Sequence, residues 1–295
     1  MVTVKDNRPI LITGSHRSGT TWISRMLAFA RDSLAVDEPF NLSPWAYRLG
    51  GHARYWFTYA PGLPFNEARV AFDRVITRKT GRVFPRRTLQ RYLPWTRKGR
   101  LIVKDPIACF SSEWLHANYD MRVVIVARHP AAFAASLKRL NWTFSFENLL
   151  QQRVLMDHHL AEFEGEMRSA PDQIVEQAAL IWKIIYTVLF RFLNSHPDWI
   201  LVKHERLSES PVEEFNALYS RLGLDWTRKT AMQIESYTSS RNPVDAPGGV
   251  ADAIRRNSYA NIDRWKSILS ADEVQRVFKT TRTIATPYYG LGTWG

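Results

Sequence analysis

Short, uninterrupted apolar runs alternate along the chain with longer segments of helical spacing. Because the runs are contiguous and do not alternate with polar residues, they predict strands buried on both faces. These runs are 10–13, 101–103, 123–126 and 199–202. Apolar positions three and four residues apart predict helices at 21–31, 131–140, 173–194 and 212–222. Strand followed by helix, repeated, predicts an α/β fold with a central parallel sheet and helices on both faces.

The chain shows no repeat, low-complexity stretch or convincing linker. We therefore expect a single domain over 1–295 with helical insertions, the segment of about 40–100 being a variable insertion on the side of the acceptor. Aromatic residues lie among Pro and Gly in the first part of this insertion, and either core packing or the wall of a pocket would explain them. They are Trp45, Tyr47, Tyr55, Trp56, Phe57 and Tyr59.

A glycine loop joins the first predicted strand to the first predicted helix. It reads Gly14-x-x-x-x-Gly19-Thr20-Thr21, the context in which backbone N–H groups and a helix N-terminus hold a phosphate. A nucleotide triphosphatase has Lys directly after the second Gly, whereas this loop has Thr20 there and Arg17 inside it. The loop therefore predicts a P-loop nucleotide-binding-like fold and a site for a single terminal phosphate that needs no Mg²⁺. Helix capping is the alternative role for its hydroxyl side chains.

A second candidate anion site follows the strand 123–126. Arg128 stands at the carboxyl end of that strand, and Ser136 lies eight residues later on the next predicted helix. A guanidinium and a hydroxyl placed two helical turns apart can hold one anion together.

The loop Arg17-Ser18-Gly19-Thr20-Thr21-Trp22 resembles the [KR]-S-G-T-T-W loop of sulfotransferases that use 3′-phosphoadenosine 5′-phosphosulfate (PAPS). This resemblance implies PAPS as cosubstrate and 3′,5′-adenosine bisphosphate (PAP) as product, with no metal. It places the loop on the 5′-phosphosulfate and Trp22 against the adenine. It also implies that Arg128 and Ser136 hold the 3′-phosphate.

Later segments extend the resemblance over most of the chain. Residues 201–207 resemble the family's strand and Y-E-D-L turn, with His204 where an adenine-contacting Tyr is usual. Residues 255–266 resemble the R-K-G…G-D-W-K segment that closes over the 3′-phosphate, which implies Arg256 as a ligand. Thr238 and Ser239 correspond to the family's T-S-F.

Transfer of a sulfuryl group to a hydroxyl needs a base that takes the hydroxyl proton. It also needs cations that stabilise the negative charge developing on the equatorial and leaving oxygens. Small-molecule sulfotransferases carry K-T-H, whose His is the base, but residues 104–106 read K-D-P. K-D-P resembles the tyrosylprotein and carbohydrate branches, in which a Glu after the first helix is the base. Glu38 occupies that place and is followed by Pro39, as in carbohydrate 6-O-sulfotransferases. We predict Glu38 as base, with Lys104 and Arg17 as the cations.

Other side chains are weaker candidates for the base: Asp37, Asp105, His16 and His129. Asp105 is better explained as a structural partner of the glycine loop 14–21, called the phosphate loop below. Glu38 itself has a structural alternative, that of an acid in the first turn of a helix.

The net charge of +12 predicts an anionic partner. Much of the excess positive charge lies between residues 74 and 104, a stretch that contains no acidic residue. Its basic residues are Arg74, Arg78, Lys79, Arg82, Arg86, Arg87, Arg91, Arg97, Lys98, Arg100 and Lys104. A solvated helical face, or a patch for an anionic acceptor or a membrane surface, would explain it. With Phe84, Tyr92 and Trp95 it could also bind nucleic acid. Nucleic-acid binding would not explain the presence of Glu38, so we expect no nucleic-acid partner.

The one cysteine, Cys109, cannot form an intramolecular disulfide, and it is expected to be a small buried apolar residue. A reducing, cytoplasmic compartment fits this composition. The apolar run 9–13 is too short to cross a bilayer, and Lys183 and Arg191 interrupt a later one, so no transmembrane segment is expected.

We therefore expect a sulfotransferase that uses PAPS and acts on a hydroxyl of a carbohydrate or glycolipid. The alternative is a P-loop kinase or nucleotide triphosphatase, because 101–105 could be an apolar strand that ends in a Mg²⁺-binding Asp. The absence of the loop Lys argues against it.

Overall fold

The computed structural model describes residues 6–31, 33–42, 53–77, 82–84, 99–244 and 254–294. Part of the predicted insertion at about 40–100 therefore lies outside the described residues. The aromatic and basic residues concerned are Trp45, Tyr47, Arg78, Lys79, Arg86, Arg87, Arg91, Tyr92, Trp95, Arg97 and Lys98.

Five parallel strands and one short antiparallel strand form a single sheet. The strands are β1 Ile10–Gly14, β2 Ser33–Asp37, β3 Arg82–Phe84, β4 Arg100–Lys104, β5 Arg122–Ala127 and β6 Ile200–Lys203. Their order is β3-β2-β4-β1-β5-β6, with β3 antiparallel to its neighbour β2. The predicted parallel sheet is thus confirmed, since β1, β4, β5 and β6 correspond to the four apolar runs. β6 begins at Ile200 because the N–H of Trp199 closes a turn onto the carbonyl of His196, 3.0 Å away.

Helices surround this sheet. In the described chain they are α1 Thr20–Leu27, α2 Phe65–Ile76, α3 Ser112–Tyr119, α4 Pro130–Leu140, α5 Glu147–Leu150, α6 Arg153–Leu155, α7 Glu164–Arg168, α8 Ile174–Ser195, α9 His204–Glu209, α10 Pro211–Leu222, α11 Arg228–Thr238 and α12 Ala271–Tyr289. α1 ends earlier than the predicted 21–31. Its last turn tightens, with the N–H of Phe29 bonded to the carbonyl of Met26, and leads the chain into β2.

An apolar core lies on each face of the sheet. Along β1, Leu11 belongs to one core while Ile10 and Ile12 belong to the other, as the two-residue period of a strand requires. α4, α8 and α12 cover the face of Leu11, and α1, α10 and α11 cover the opposite one. The prediction of helices on both faces is therefore confirmed. Cys109 is fully buried in the first core.

α8 is the one helix in the described part of the chain that is long and apolar enough to cross a membrane. Of its most apolar window, 72% is buried inside the fold, where it packs against α4 and α12. Lys183 and Arg191 leave this core and pair at the surface with Glu166 and Glu162, at 2.8 and 2.7 Å. The apolar length of α8 therefore serves the core of the domain.

All five parallel strands end at one edge of the sheet. Their last residues are Gly14, Asp37, Lys104, Ala127 and Lys203. Asp37 is in register with Lys104, and Gly14 with Val126. Loops that leave the carboxyl ends of parallel strands are where α/β folds bind ligands, so this edge is where a site is expected.

Candidate functional site

A cavity of about 240 Å³ opens at the carboxyl edge of the sheet. Most of the residues predicted from the sequence line it, among them the weaker base candidate His16 and the aromatic Trp56: His16, Arg17, Gly19, Thr20, Thr21, Trp22, Glu38, Trp56, Arg128, His204 and Arg256. Lys104 and Ser136 do not line it but bond to Glu38 and Arg17, which do. Sequence reasoning missed further lining residues: Asn41, Pro106, Ile107, Trp142, Ile254, Ser258 and Asn261.

Two glycines let the phosphate loop fold tightly against its neighbours. Gly14 has φ 148°, and a Cβ there would collide with the carbonyl oxygen of Val126. Gly19 has φ 100°, and a Cβ there would lie 2.5 Å from Cδ2 of His204. Such left-handed values are strained for residues that carry a Cβ. Glycine is therefore required at both ends of the loop.

Internal hydrogen bonds fix the loop between those glycines. Ser18 donates from its backbone N–H and its hydroxyl to the carbonyl of Ser15, at 3.2 and 2.6 Å. Its hydroxyl is thus used within the loop. Ser15 Oγ lies 3.0 Å from the hydroxyl of Tyr186 on α8, which donates to the carbonyl of Val126 at 2.8 Å. The loop is tied through one tyrosine to both β5 and the core helix.

The first turn of α1 faces the cavity. The first intrahelical bond runs from the N–H of Ile23 to the carbonyl of Gly19, at 3.0 Å. The N–H groups of Gly19, Thr20, Thr21 and Trp22 therefore have no acceptor within the helix. Together with the positive end of the helix dipole, these N–H groups are suited to bind an anion.

Three arginines, Arg17, Arg128 and Arg256, also line the cavity. Arg17 donates from Nε to Ser136 Oγ at 3.2 Å, and Arg128 donates from Nη1 to the carbonyl of Arg17 at 3.0 Å. Burial, followed by the charges of Arg128, Arg256 and Arg139, lowers the pKa of Arg17 to about 10. Burial also lowers the pKa of Arg128. A cluster of like charges whose own repulsion disfavours ionisation is suited to bind an anion with more than one charge.

Arg128 has an unused donor. Its Nε is buried and has no hydrogen-bond partner among the described residues. The nearby carboxylate of Glu205 raises the pKa of Arg128 against the effect of burial, and Glu205 Oε1 accepts from the N–H of His129 at 2.8 Å. A buried donor without a partner is costly, so Arg128 offers a ligand a favourable hydrogen bond.

Two aromatic side chains border the cavity on the side of α9. The rings of Trp22 and His204 lie 5.4 Å apart, and Trp22 also packs edge-on against Phe215 at 5.3 Å. Burial and the charges of Arg128 and Arg256 lower the pKa of His204 well below its ordinary value. His204 is therefore neutral at pH 7 and can stack against a heterocycle without adding charge.

Thr238 and Ser239 contribute to the cavity indirectly. The hydroxyl of Thr238 donates to the carbonyl of Ile234 at 2.9 Å, inside α11, and does not line the cavity. Ser239 Oγ accepts from the N–H of Arg241 at 3.2 Å. The carbonyl of Thr238 accepts from Ser258, a lining residue, at 3.4 Å. Thr238 therefore supports the segment that carries Arg256, whereas the Ser239 hydroxyl fixes the turn after α11.

Glu38 and Lys104 form a pair at the ends of β2 and β4. Lys104 is 3% exposed, and its ammonium contacts the Glu38 carboxylate and lies 3.7 Å from Asp37 Oδ1. The other oxygen of Glu38 accepts from the amide of Asn41. Glu38 has φ 46°, which is rare outside glycine, and its N–H bonds to the carbonyl of Lys104 at 2.7 Å. Left-handed backbone of this kind persists where its surroundings hold it, and it often marks a functional residue.

The other carboxylates considered as base have structural partners. Asp37 accepts from Arg25 at 2.5 Å. Asp105 accepts backbone N–H groups from Phe40 at 2.7 Å and Ile107 at 2.9 Å. Burial and the charge of Glu38 raise the pKa of Asp105 to about 7. Asp105 thus fixes the turn after Glu38 instead of the phosphate loop. Among the described residues, Glu38 is the one carboxylate that lines the cavity.

The two candidate histidines are held by packing. His16 lies between Phe57 and Phe133, at ring distances of 5.7 and 5.1 Å, and burial lowers its pKa to about 4. His129 caps α4 by accepting the N–H of Ala131 at 3.3 Å. It stacks on the ring of Trp265, and burial lowers its pKa to about 3. His129 does not line the cavity.

The basic stretch 74–104 is not one continuous surface. Arg100 is 7% exposed, donates to the carbonyls of Arg8 (2.7 Å) and Leu222, and lies 3.5 Å from Asp6. Lys104 is buried beside Glu38. These two residues belong to the interior because β4 carries them into the sheet, so they cannot form part of a solvated face.

Known proteins resemble this chain in sequence pattern and in fold. The sequence profile described as the sulfotransferase family matches residues 9–228. No curated protein sequence matches significantly. Among solved structures, the sulfotransferase domain from the curacin biosynthetic pathway is 17% identical, with 94% of this chain and 98% of that chain covered and a TM-score of 0.53. The sulfotransferase domain of the Synechococcus PCC 7002 olefin synthase is 18% identical, with 96% of both chains covered and a TM-score of 0.50. At these identities the likeness shows the fold.

Proposed function

The chain belongs to the sulfotransferase family, and we propose that it moves the sulfuryl group of PAPS onto a hydroxyl, with Glu38 as the base. One observation carries the proposal. A single cavity combines the phosphate loop and three arginines with one carboxylate, and that carboxylate is paired with a buried lysine. The first group of residues suits a donor with two anionic ends, and the second suits proton transfer and charge stabilisation.

The charged and aromatic residues that line the cavity suit the parts of PAPS. The N–H groups at the start of α1 and Arg17 would hold the 5′-phosphosulfate, where the close approach at Gly19 leaves no room for a Cβ. Arg128, with its unused Nε, and Arg256 would hold the 3′-phosphate. Trp22 and His204 would border the adenine.

Glu38 is placed to accept the proton of an acceptor hydroxyl. Each carboxylate oxygen has two lone pairs, and Lys104 and Asn41 use one on each. The acceptor oxygen would form a bond to sulfur while the bond from sulfur to the phosphate oxygen breaks, and Glu38 would take the proton. Negative charge then develops on the departing phosphate oxygen. Lys104 and Arg17 are the cations that would stabilise it.

We further propose a carbohydrate or glycolipid acceptor, because two exposed tryptophans line the cavity. Trp56 is 39% exposed and Trp142 is 47% exposed. Each is next to a residue with left-handed backbone, Phe57 at φ 62° and Asn141 at φ 52°, which turns the chain there. Exposed aromatic faces beside a cavity are typical of binding sites for ligands with an apolar face, such as the C–H face of a sugar ring.

Two broader expectations remain predictions. Membrane contact through 74–104 would rest on residues outside the described part of the chain, together with Arg74 on α2 and Arg82 at the start of β3. A cytoplasmic location would suit the single buried thiol of Cys109.

Calorimetry tests the donor. PAP should bind with a dissociation constant at least about tenfold lower than that of ATP with Mg²⁺, because PAP carries a 3′-phosphate for Arg128 and ATP has none. Replacement Arg128→Met should remove most of this preference, while exposed Arg153→Met should leave it intact. Tighter binding of ATP with Mg²⁺ would favour the kinase alternative.

A transfer assay with labelled PAPS and a panel of 4-nitrophenyl glycosides tests the acceptor. We expect labelled glycoside, and we expect Trp56→Ala to raise its KM about tenfold or more with little change in kcat or PAP affinity. Met232→Ala, which alters an exposed apolar side chain on α11 outside the cavity, is the control. Labelling of 4-nitrophenol but of no glycoside would refute a sugar acceptor and leave sulfuryl transfer standing.

A further inference from the structure

A second cluster of chemically active side chains lies away from the cavity. His116 lies on α3, His196 directly follows α8, and Asp198 precedes β6. One potential ligand atom from each residue lies within 4.8 Å of the other two. The two histidines are half-buried and Asp198 is exposed. None of the three has a role in the proposed reaction.

The cluster stands at the end of the sheet opposite the cavity. Met121, whose carbonyl contacts His116, immediately precedes β5, and Arg128 immediately follows it. A strand rises about 3.3 Å per residue, so these two points are roughly 20 Å apart. A ligand bound here would not touch the transferred group.

Each histidine already uses one ring nitrogen on a carbonyl or carboxylate. His116 Nδ1 lies 2.8 Å from the carbonyl oxygen of Met121, and His196 Nε2 lies 2.8 Å from Glu113 Oε1. Both oxygens accept a hydrogen bond, so the nitrogen that faces each of them carries the N–H. In the neutral rings, Nε2 of His116 and Nδ1 of His196 then each keep a lone pair that can bind a metal ion. A histidine bound to a metal typically donates its other N–H to such an oxygen, which fixes its tautomer and its orientation.

Packing holds the two rings in place. His196 is stacked on Trp199, with centroids 4.5 Å apart and an angle of 11° between the planes. His116 lies edge-on to the same indole at 5.6 Å and to His196 at 5.2 Å. Two of the three ligands are thus ordered before any ion binds, which lowers the entropic cost of binding.

We propose that His116, His196 and Asp198 bind a divalent transition-metal ion of the Zn²⁺ type, with water completing the tetrahedron. Two imidazoles and a carboxylate suit Zn²⁺, Co²⁺ or Ni²⁺ and are a poor set for Mg²⁺ or Ca²⁺. Tetrahedral ligands about 2.1 Å from zinc are roughly 3.4 Å apart, and the ligand atoms lie within 4.8 Å of one another, so their separations must close by up to about 1.4 Å. Asp198 is exposed, so its side chain can adjust towards the two histidines. The ion would join α3 to the segment between α8 and β6.

The test is titration of the metal-free full chain with ZnCl₂ by calorimetry, together with the visible absorption of the Co²⁺ form. We expect one tetrahedral Co²⁺ spectrum and a melting temperature raised by Zn²⁺. His116→Gln and Asp198→Asn should each weaken Zn²⁺ binding about tenfold or more, and Glu113→Gln should weaken it by a similar factor through His196. The matched control, His158→Gln, should bind as the parent does.

Asp198 is exposed, so Asp198→Asn is expected to fold even if the histidine variants do not. Failure of the parent to bind Zn²⁺ at millimolar concentration would overturn the proposal. So would Zn²⁺ binding that persists unchanged in Asp198→Asn and His116→Gln. Sulfuryl transfer is expected to be the same with and without Zn²⁺, so this result is independent of the proposed reaction.

Discussion

Replacement Glu38→Gln removes the proposed base with little change in side-chain volume. Lys104, which is 3% exposed, then loses the carboxylate it contacts and keeps Asp37 Oδ1 at 3.7 Å. Breaking a buried ion pair costs about 3–5 kcal/mol when nothing replaces the lost partner. Asp37 remains and Glu38 is 27% exposed, so we expect a loss of about 1–2 kcal/mol in the free energy of unfolding.

The effect on turnover should be larger than the effect on stability. A positioned base contributes about 10²- to 10⁴-fold, so the initial rate with labelled PAPS should fall by about 10²-fold or more. That loss corresponds to about 2.7 kcal/mol in the activation barrier. PAP affinity should stay within about twofold, because Glu38 is not among the residues proposed to hold the nucleotide.

The matched control is Glu214→Gln, which removes a carboxylate from an ion pair with Arg206, 2.6 Å away and outside the cavity. Its turnover should equal that of the parent chain. A Glu38→Gln enzyme with turnover within about threefold of the parent would refute the base. A parallel fall in PAP affinity and turnover would instead identify Glu38 as a structural support of the nucleotide site.

Two other replacements test the loop and the buried histidines. Gly19→Ala should weaken PAP binding about tenfold or more, because its Cβ would lie 2.5 Å from His204. Gly165→Ala is the control, since a Cβ at Gly165 would have no atom within 4 Å. Equal PAP affinity in the two variants would contradict the tight packing of the loop at Gly19. The pKa of His129 is about 3 in the folded chain against 6.5 for a free imidazole, so the unfolded state binds more protons below pH 6.5. Stability should therefore fall with pH from about 6.5 towards about 3, by about 1.4 kcal/mol per pH unit for this group. His129→Phe should show a shallower slope in denaturation measured from pH 7 to pH 4, and an unchanged slope would show that His129 does not titrate as described.

The central strands were predictable because they are apolar on both faces. β1, β4 and β5 read as contiguous apolar runs, as does the edge strand β6, and the loop after β1 has a recognisable pattern. β2 was not predicted, since Ser33 and Asp37 at its ends break the apolar signal. Its place in the sheet depends on pairing with β4, which a local pattern does not contain. Glu38 was therefore selected through a family resemblance, without the strand that positions it.

The cavity residues that lie on turns were harder to predict than those that directly follow predicted strands. Arg17 and Arg128 follow predicted strands, so their shared edge is implied by a parallel sheet. Trp142 and Asn41 reach the cavity through turns whose direction depends on backbone conformation. The one local signal was an Asn directly before Trp142, since Asn141 tolerates the left-handed conformation that ends α4.

α8 connects the interior of the domain to both anion-binding elements. Tyr186 bonds to Ser15 in the phosphate loop, and the indole of Trp182 donates to the carbonyl of Arg128 at 2.9 Å. The helix that contributes most to the apolar core thus also sets the spacing between the loop and Arg128. We therefore expect nucleotide affinity and thermal stability to be linked. A change at Trp182 or Tyr186, in the middle of α8, should alter the alignment of the two proposed phosphate contacts, and a nucleotide that bridges them should raise the stability of the core.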